Sequence, residues 1–315
     1  MIKVTLITGF LGAGKTTFLN NLIKKYPDTK FAIIENEFGE VGIDGGLVVD
    51  SQEDVFELSN GCICCSLNGE LREVLRNLLN SGKEIDHLLV ETTGIAEPSS
   101  IAAAFIGDPA ISRLFELNAC ICLADTVNFE QSLQDHEVAS KQIAFSDYIV
   151  LSKCDLSTEE QVKKIAFHLK LMNPLALVEK NYNGEMIQKD ILSLNSFNAD
   201  KVEERTSFIP TAHEHAHGEV VSHAFTFEGE VDPVKLEMWL SVLFQLQFEV
   251  LFRFKGIFNI KGEDNKVIIQ GVRNESKINI GSPWKEGDKK ENKMVIIGKG
   301  IKRGPIEKKI KSLLR

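Results

Sequence analysis

Gly9-Phe10-Leu11-Gly12-Ala13-Gly14-Lys15-Thr16 fits the spacing G-x-x-x-x-G-K-[ST], whose chemistry is phosphate binding. Glycines let backbone N–H groups turn inward around phosphate oxygens, and the N-terminus of a following helix adds the positive end of its dipole. Lys15 can reach the β- and γ-phosphates, and Thr16 can offer its hydroxyl to Mg²⁺. The candidate phosphate-binding residues are therefore Gly9, Gly12, Ala13, Gly14, Lys15, Thr16 and Thr17. A chance glycine-rich turn would not bring a preceding strand, a following helix, the lysine and the threonine with it.

Leu88-Leu89-Val90-Glu91-Thr92-Thr93-Gly94 reads as an apolar strand ending in an acid, with a glycine three positions on. Glu91 can hold the Mg²⁺ shell and Gly94 can meet the γ-phosphate; a strand end without a role is the alternative. Asp125, at the end of the next strand, is a similar position, but it reads better as a turn or helix cap. Ser152-Lys153-Cys154-Asp155 resembles the N-K-x-D guanine signature of GTPases. Guanine presents an N1–H and an exocyclic amino group to a carboxylate, whereas adenine offers no such pair, so Asp155 is expected to select GTP over ATP. Ser152 stands where that signature has Asn, which removes an amide contact, and Cys154 fills space. Lys15, Thr16 and Glu91 are the candidate catalytic groups; no residue announces itself as the one that positions water.

Three thiols, Cys62, Cys64 and Cys65, fall within four residues at an expected turn before a helix-like stretch, Glu70 to Leu79. Thiolates are soft ligands for Zn²⁺ or another late transition metal, and a closed tetrahedral site needs a fourth ligand. Buried or redox-active thiols are the competing reading. The acidic segment Glu35 to Glu40 leaves the second strand, and Glu37 or Glu40 could complete the thiolate site or touch Mg²⁺. His213, His215 and His217 would share one side of an extended chain, a compositional metal signal that incidental histidines in a linker would also produce. Cys120 and Cys122 share one face of an apolar strand and read as core.

Positioning these groups requires alternating strands and helices. Val- and Ile-rich segments at Ile2 to Thr8, Phe31 to Ile34, His87 to Val90, Cys120 to Ala124 and Tyr148 to Leu151 alternate with helix-like stretches. This is the signature of an α/β domain with a parallel sheet and helices on both faces. Phe18, Leu19, Leu22, Ile23 and Tyr26 form one buried helical stripe. After Ser193 the rhythm fades into polar sequence, and from about residue 221 strands follow one another without intervening helices. A helix is expected from Asp232 to about Gln247 and a last one from Pro305 to Leu314. The reading is a P-loop domain over 1–195, a His-containing linker over 196–220 and a smaller α+β domain over 221–315.

With 315 residues, 43% hydrophobic and 26% charged, the composition is that of a globular protein and excludes a disordered or fibrous one. No apolar run approaches the roughly 18 residues of a membrane span, and the N-terminal stretch runs into the glycine motif without a cleavage region, so a cytoplasmic protein without membrane partners is expected. Six cysteines are too few and too clustered for a secreted disulfide framework. A net charge of -9 argues against nucleic-acid partners. Between Lys285 and Arg315, eleven Lys or Arg face four Asp or Glu, which fits a solvated basic helix or a face for an acidic partner.

Together, Ile7 to Thr17, Glu35 to Gly39, Asn60 to Cys65 and Glu91 to Gly94 resemble the CobW family of P-loop GTPases, nearest its YjiA-like branch. The likeness continues in Arg253 to Gly256, Gln270 to Val272, Pro283-Trp284 and Met294 to Gly298, so it spans nearly the whole chain. The resemblance implies a Mg²⁺-dependent GTPase that acts as a metallochaperone for zinc, cobalt or iron, with the cysteine motif as the metal site and a metalloprotein as client. Thiolate content points to zinc or cobalt. A nucleotide switch that uses the cysteines as a metal or redox sensor is the alternative. A small-molecule P-loop kinase is disfavoured by Lys153 and Asp155 and by the absence of a basic lid segment. Client, oligomeric state and choice of metal stay open.

Overall fold

The computed structural model describes residues 1–35, 54–57, 63–185, 187–198, 201, 215–217, 220–246 and 249–314; of 35, 54–57, 63–70, 215–217 and 246 it describes the backbone only. These residues divide into two compact units, Met1–Leu169 with Ala176–Asn195, and Lys170–Leu175 with Ser196–Arg315.

In chain order the first unit begins with β1 (Ile2–Gly9), α1 (Lys15–Lys25), β2 (Phe31–Glu35), β3 (Asp54–Glu57), α2 (Ile63–Asn80) and β4 (His87–Glu91). It continues with α3 (Pro98–Gly107), the single turn α4 (Pro109–Ser112), β5 (Phe115–Asp125), α5 (Phe129–Asp135), α6 (Glu137–Phe145) and β6 (Tyr148–Ser152). A 3-10 turn at Cys154–Leu156 leads into α7 (Glu159–Met172), and β7 (Leu177–Lys180) ends the series. The seven strands form one sheet in the order β3-β2-β4-β1-β5-β6-β7, with every pair parallel. β3 and β7 extend the five strands expected from sequence at the two edges, where apolar patterning is weakest. A parallel sheet covered on both faces buries both sides of its strands, so they read as continuous apolar runs. β5, FELNACICLAD, is buried at ten of its eleven positions. Cys120 and Cys122 are part of that core.

β1 is central. Its neighbours are β4, with β2 and β3 between the two in sequence, and β5, where the strand order turns back across the sheet. Ligands of open α/β sheets bind at the carboxyl ends of strands at such a crossing. α1 covers one face with Phe18, Leu19, Leu22 and Ile23, which pack on Ile7, Ile33, Leu89, Ile121 and Val150. α3 and α6 pack on β1 and β5.

The second unit carries β8 (His215–His217), β9 (Val220–Glu228), α8 (Pro233–Leu246), β10 (Leu251–Phe258), β11 (Asn265–Val272), β12 (Glu275–Pro283), β13 (Glu291–Lys299) and α9 (Arg303–Leu313). Its sheet runs β12-β11-β10-β13-β9-β8 and is antiparallel throughout. Leu236, Trp239, Leu240, Leu243 and Phe244 of α8 and Ile306, Ile310 and Leu313 of α9 bury one face of it in a single core with Phe254 and Phe258. Within the stretch expected to be a linker, Ser196 and Phe197 are buried and His215–His217 pairs with β9. No helix among the described residues is long and apolar enough to cross a membrane.

At the amino ends of the central strands lies a buried polar network. The Thr5 hydroxyl meets His87 Nε2 at 2.8 Å, Asn118 Nδ2 donates to Thr5 Oγ1 (2.9 Å) and to the Ile191 carbonyl (3.0 Å), and Asn195 N–H donates to Asn118 Oδ1 (2.8 Å). Burial, with the Lys3 charge adding to it, pushes the His87 imidazole down to about 4. The unfolded chain takes up this proton near pH 6.5, so stability should fall as pH drops from about 6.5 towards 4, by up to roughly 3 kcal/mol. His87→Gln, which keeps a polar partner for Thr5, should flatten that part of the profile. Denaturant midpoints at pH 7 and pH 5 check this; equal losses in parent and variant would refute it.

Candidate nucleotide site

β1 ends at Gly9 with φ +142°, where a Cβ would lie 2.5 Å from the Leu123 carbonyl oxygen on β5. No other residue fits that approach. Past it, Ala13 N–H donates to the Phe10 carbonyl at 3.1 Å, and Gly14, at φ +93°, caps α1 without any side-chain hydrogen bond. The first N–H groups of α1 therefore have no side-chain cap, the arrangement that binds anions. Lys15, Thr16 and Thr17 form the first turn, and Lys24 and Lys25 close the helix at its negative end.

Glu91 is the last residue of β4, in register with Ile7 on β1 and Glu35 on β2. The segment after it leans on the P-loop. Thr92 Oγ1 donates to Thr8 Oγ1 at 3.0 Å, and a Cβ on Gly94 would come within 2.6 Å of Leu11 N. Thr93 Oγ1 is buried with no hydrogen-bond partner among the described residues.

On the other side of β1, Ser152 at the end of β6 donates its hydroxyl to the Ala13 carbonyl at 2.8 Å. The residue expected to weaken the guanine motif thus ties it to the P-loop. Lys153 has left-handed backbone, φ 57°, and its Nζ donates to Asp125 Oδ2 at 2.8 Å. Asp125 also accepts from Val127 N–H (2.9 Å) and Asn128 Nδ2 (2.8 Å). It is the turn-former expected and, in addition, an anchor for Lys153. Burial opposes its ionisation, but Lys153, Asn128 and the Val127 N–H outweigh burial and hold the carboxyl below its usual range. Asp155 Oδ1 accepts from Asn183 N–H at 2.7 Å. Cys154 is buried and burial raises its thiol pKa, in keeping with a packing role. Ala13, Gly14, Thr17, Ser152, Lys153 and Asp155 border one cavity of about 330 Å³.

The structure thus brings the P-loop, Gly94 and the Ser152–Asp155 motif to one edge of the sheet. Asn183, whose backbone orients Asp155, and Lys25, which holds the loop after it, carried no signal in the sequence because both act through partners distant in the chain.

The metal candidates are placed differently. Cys64 and Cys65 lie in the first turn of α2, not in a turn before a helix starting near Glu70; the helix runs back through Gly69, a weak helix former, to Ile63. Cys62, Glu37, Glu40 and His213 lie outside the described residues. His215 and His217 lie in the short strand β8, within the stretch expected to be a linker. Among the described residues no group of three or more His, Cys, Asp or Glu side chains could hold a metal.

A P-loop and a guanine-type motif at the carboxyl edge of a parallel sheet define a P-loop GTPase. Residues 3–179 match the CobW/HypB/UreG nucleotide-binding domain, and residues 220–314 match the cobalamin synthesis protein CobW C-terminal domain. The chain belongs to the CobW family. It is 32% identical to the zinc chaperone YjiA of Escherichia coli, across 94% of each chain. It is 28% identical to the zinc chaperone CobW of Pseudomonas aeruginosa, across 99% of this chain and 92% of that one. The crystal structure of Zn(II)-bound YjiA GTPase from E. coli, 27% identical, superposes with a TM-score of 0.79 over 100% of this chain and 99% of that one.

Ser152→Ala removes the side-chain bond to Ala13 and leaves a buried P-loop carbonyl short of a donor. GTP and GDP affinity should each fall by about five- to tenfold, read by equilibrium titration with a fluorescent nucleotide; unchanged affinities would mean that the tie does not support binding.

Proposed function

We propose that this protein is a GTP-hydrolysing metallochaperone that carries a transition metal on Cys62, Cys64 and Cys65 and delivers it to a client metalloprotein. The nucleotide half is supported above all by one observation: the P-loop backbone at Ala13 and Gly14 and the carboxylate of Asp155 border the same cavity. Phosphates at the α1 N-terminus and a base at Asp155 make a guanine nucleotide the substrate that uses both ends.

In this reading the P-loop N–H groups hold the phosphates, and Lys15 neutralises charge that develops on the transferred phosphoryl group. The oxygen donors of Thr16 and Glu91 suit Mg²⁺, and the unpartnered hydroxyl of Thr93, two residues after Glu91 in the chain, fits a site completed by ligand. Bound there, Mg²⁺ supplies charge stabilisation at the phosphates. Gly94, held against Leu11, presents its N–H to the terminal phosphate, and Asp155 selects guanine.

The metal is cargo. Zinc is favoured over cobalt because the similar proteins are called zinc chaperones; Glu37 or Glu40 supplies the fourth ligand. A helix N-terminus favours thiolate over thiol, and Cys64 and Cys65 stand at one. α2 runs directly into β4 and Glu91, so the chain that begins with the thiols ends at the nucleotide. GTP assembles the metal site, and hydrolysis releases the metal to the client in the cytoplasm, where thiols stay reduced.

Asp155→Asn should relax the preference for GTP over ATP, since an amide replaces the carboxylate acceptor for the guanine edge. Competition binding checks this, and a parent protein from which ATP displaces GTP at equal concentration would sink the specificity reading.

Metal titration tests the cargo half. With Co²⁺ as probe, thiolate coordination gives near-ultraviolet charge-transfer absorption, and one such site should vanish in the Cys64→Ser, Cys65→Ser double variant and weaken as pH falls below neutrality. A nonhydrolysable GTP analogue should tighten it. Retention of the full spectrum in the double variant would place the metal elsewhere, and no response to the analogue would remove the proposed coupling between nucleotide and metal; nucleotide-dependent binding without metal transfer to an acceptor apoprotein would favour the switch.

A further inference from the structure

Gln142, on α6, is 1% exposed, yet it is neither a strand-edge nor a motif residue. Its Nε2 donates to two carbonyls of the segment after Glu91, Gly94 O at 3.1 Å and Ala96 O at 3.0 Å. Two carbonyl acceptors can be met only by the NH₂ end, so the orientation of the amide is fixed by its surroundings. Both amide hydrogens are spent on this one segment. The opposite end, Oε1, is buried without a hydrogen-bond partner among the described residues, an arrangement that costs stability unless something else requires it.

The rest of α6 reaches the same two loops. Lys141 Nζ lies 3.4 Å from Glu97 Oε2, at the start of α3. His136, which immediately precedes α6, stacks on Phe10 of the P-loop, with ring centroids 4.5 Å apart. Gly94 itself is caught between the two loops: its Cα abuts Leu11 of the P-loop and its carbonyl is held by Gln142. With the Gly94–Ile95 peptide pinned by the amide and the Cα pinned by Leu11, the Gly94 N–H has little freedom left.

We infer that Gln142 is a positioning residue for GTP hydrolysis: by fixing the Gly94–Ile95 peptide on the far side of the Gly94 Cα, it limits how the preceding Thr93–Gly94 peptide, whose N–H meets the terminal phosphate, can turn. This rests on the proposed contact of Gly94 with that phosphate. Gln142 does not touch substrate; it acts through Gly94, so its loss affects the nucleotide that carries a γ-phosphate and spares the one that lacks it. A residue that merely packed α6 against the sheet would affect both nucleotides alike.

The full-length protein is assayed as Gln142→Met, which keeps the length of the side chain without donors, as Gln142→Glu, which sets a carboxylate against two carbonyls, and as Gly94→Ala. Steady-state GTP hydrolysis is measured together with affinities for GDP and for a nonhydrolysable GTP analogue. The Met variant should lose about tenfold or more in kcat, hold GDP within about twofold of the parent, and bind the analogue no better than GDP; the Glu variant should lose more. Should the Met variant fail to fold, Gln142→Asn, with the donor on a stem one carbon shorter, is read by the same criteria. Parental kcat and analogue affinity in the Met variant, with both lost in Gly94→Ala, would overturn the role of Gln142 alone. Equal loss of GDP and analogue affinity would also overturn it, in favour of a packing role. Parental behaviour of Gly94→Ala would instead remove the phosphate assignment of Gly94.

Discussion

Where β1 gives way to the P-loop, two stretches of backbone pass closer than side chains allow. The Gly9 Cα faces the Leu123 carbonyl so directly that a Cβ would sit 2.5 Å from it, in a φ region that L side chains rarely adopt. This approach lets the chain leave the centre of the sheet and fold back over the ends of its neighbours. Three other contacts depend on where that turn puts the loop. Leu11 N meets the Gly94 Cα, the Ala13 carbonyl receives the Ser152 hydroxyl, and Phe10 stacks on His136. Strands β4 and β6 and helix α6 are thereby all referred to one loop, and its conformation is set by a residue with no side chain.

That dependence explains what the sequence could reveal. A backbone constraint met only by glycine leaves a mark at fixed spacing, so the P-loop and Gly94 were legible, and so were the central strands, whose burial on both faces enforces apolar runs. Side chains that act through distant partners leave no such mark. Asp125 looked like a turn-former because its bonds to Val127 and Asn128 are local; its ion pair with Lys153, twenty-eight residues on, is visible only in the fold. Ser152 looked like a loss relative to Asn, because a one-residue comparison does not show that a hydroxyl at the end of β6 lies 2.8 Å from a P-loop carbonyl. Gln142 carries no such mark either, because its partners, the Gly94 and Ala96 carbonyls, lie far back in the chain.

The second unit shows the same limit in a polar stretch. Among the residues expected to be linker, Phe197 is buried, with the Arg253 guanidinium 4.3 Å and Lys255 Nζ 5.8 Å from its ring centroid and Gln270 Nε2 donating to its carbonyl at 2.9 Å. An aromatic face offers a buried cation an electrostatic partner that costs little desolvation of its own. Arg253 and Lys255 can therefore stand in an otherwise apolar strand, Leu251–Phe258, all of whose positions are buried. The strand signal survived its two charges, but a single aromatic within a run of Asn, Ser and Glu carried none.

Back in the first unit, α1 does more than present its N-terminus. At its far end Lys25 Nζ donates to three successive carbonyls, of Ile187 (2.8 Å), Gln188 (3.1 Å) and Lys189 (2.7 Å), and Tyr26 donates its hydroxyl to Asp190 (2.7 Å). Burial and that bond push the tyrosine up to about 12, so it stays a donor throughout the physiological range. One turn earlier Asn21 Nδ2 reaches the Gly184 carbonyl at 2.5 Å, next to Asn183, whose N–H orients Asp155. An eleven-residue helix is roughly 16 Å long and nearly rigid along its axis. The helix that starts at the P-loop and the loop whose Asn183 N–H holds Asp155 are thus tied into one body by Asn21, Lys25 and Tyr26.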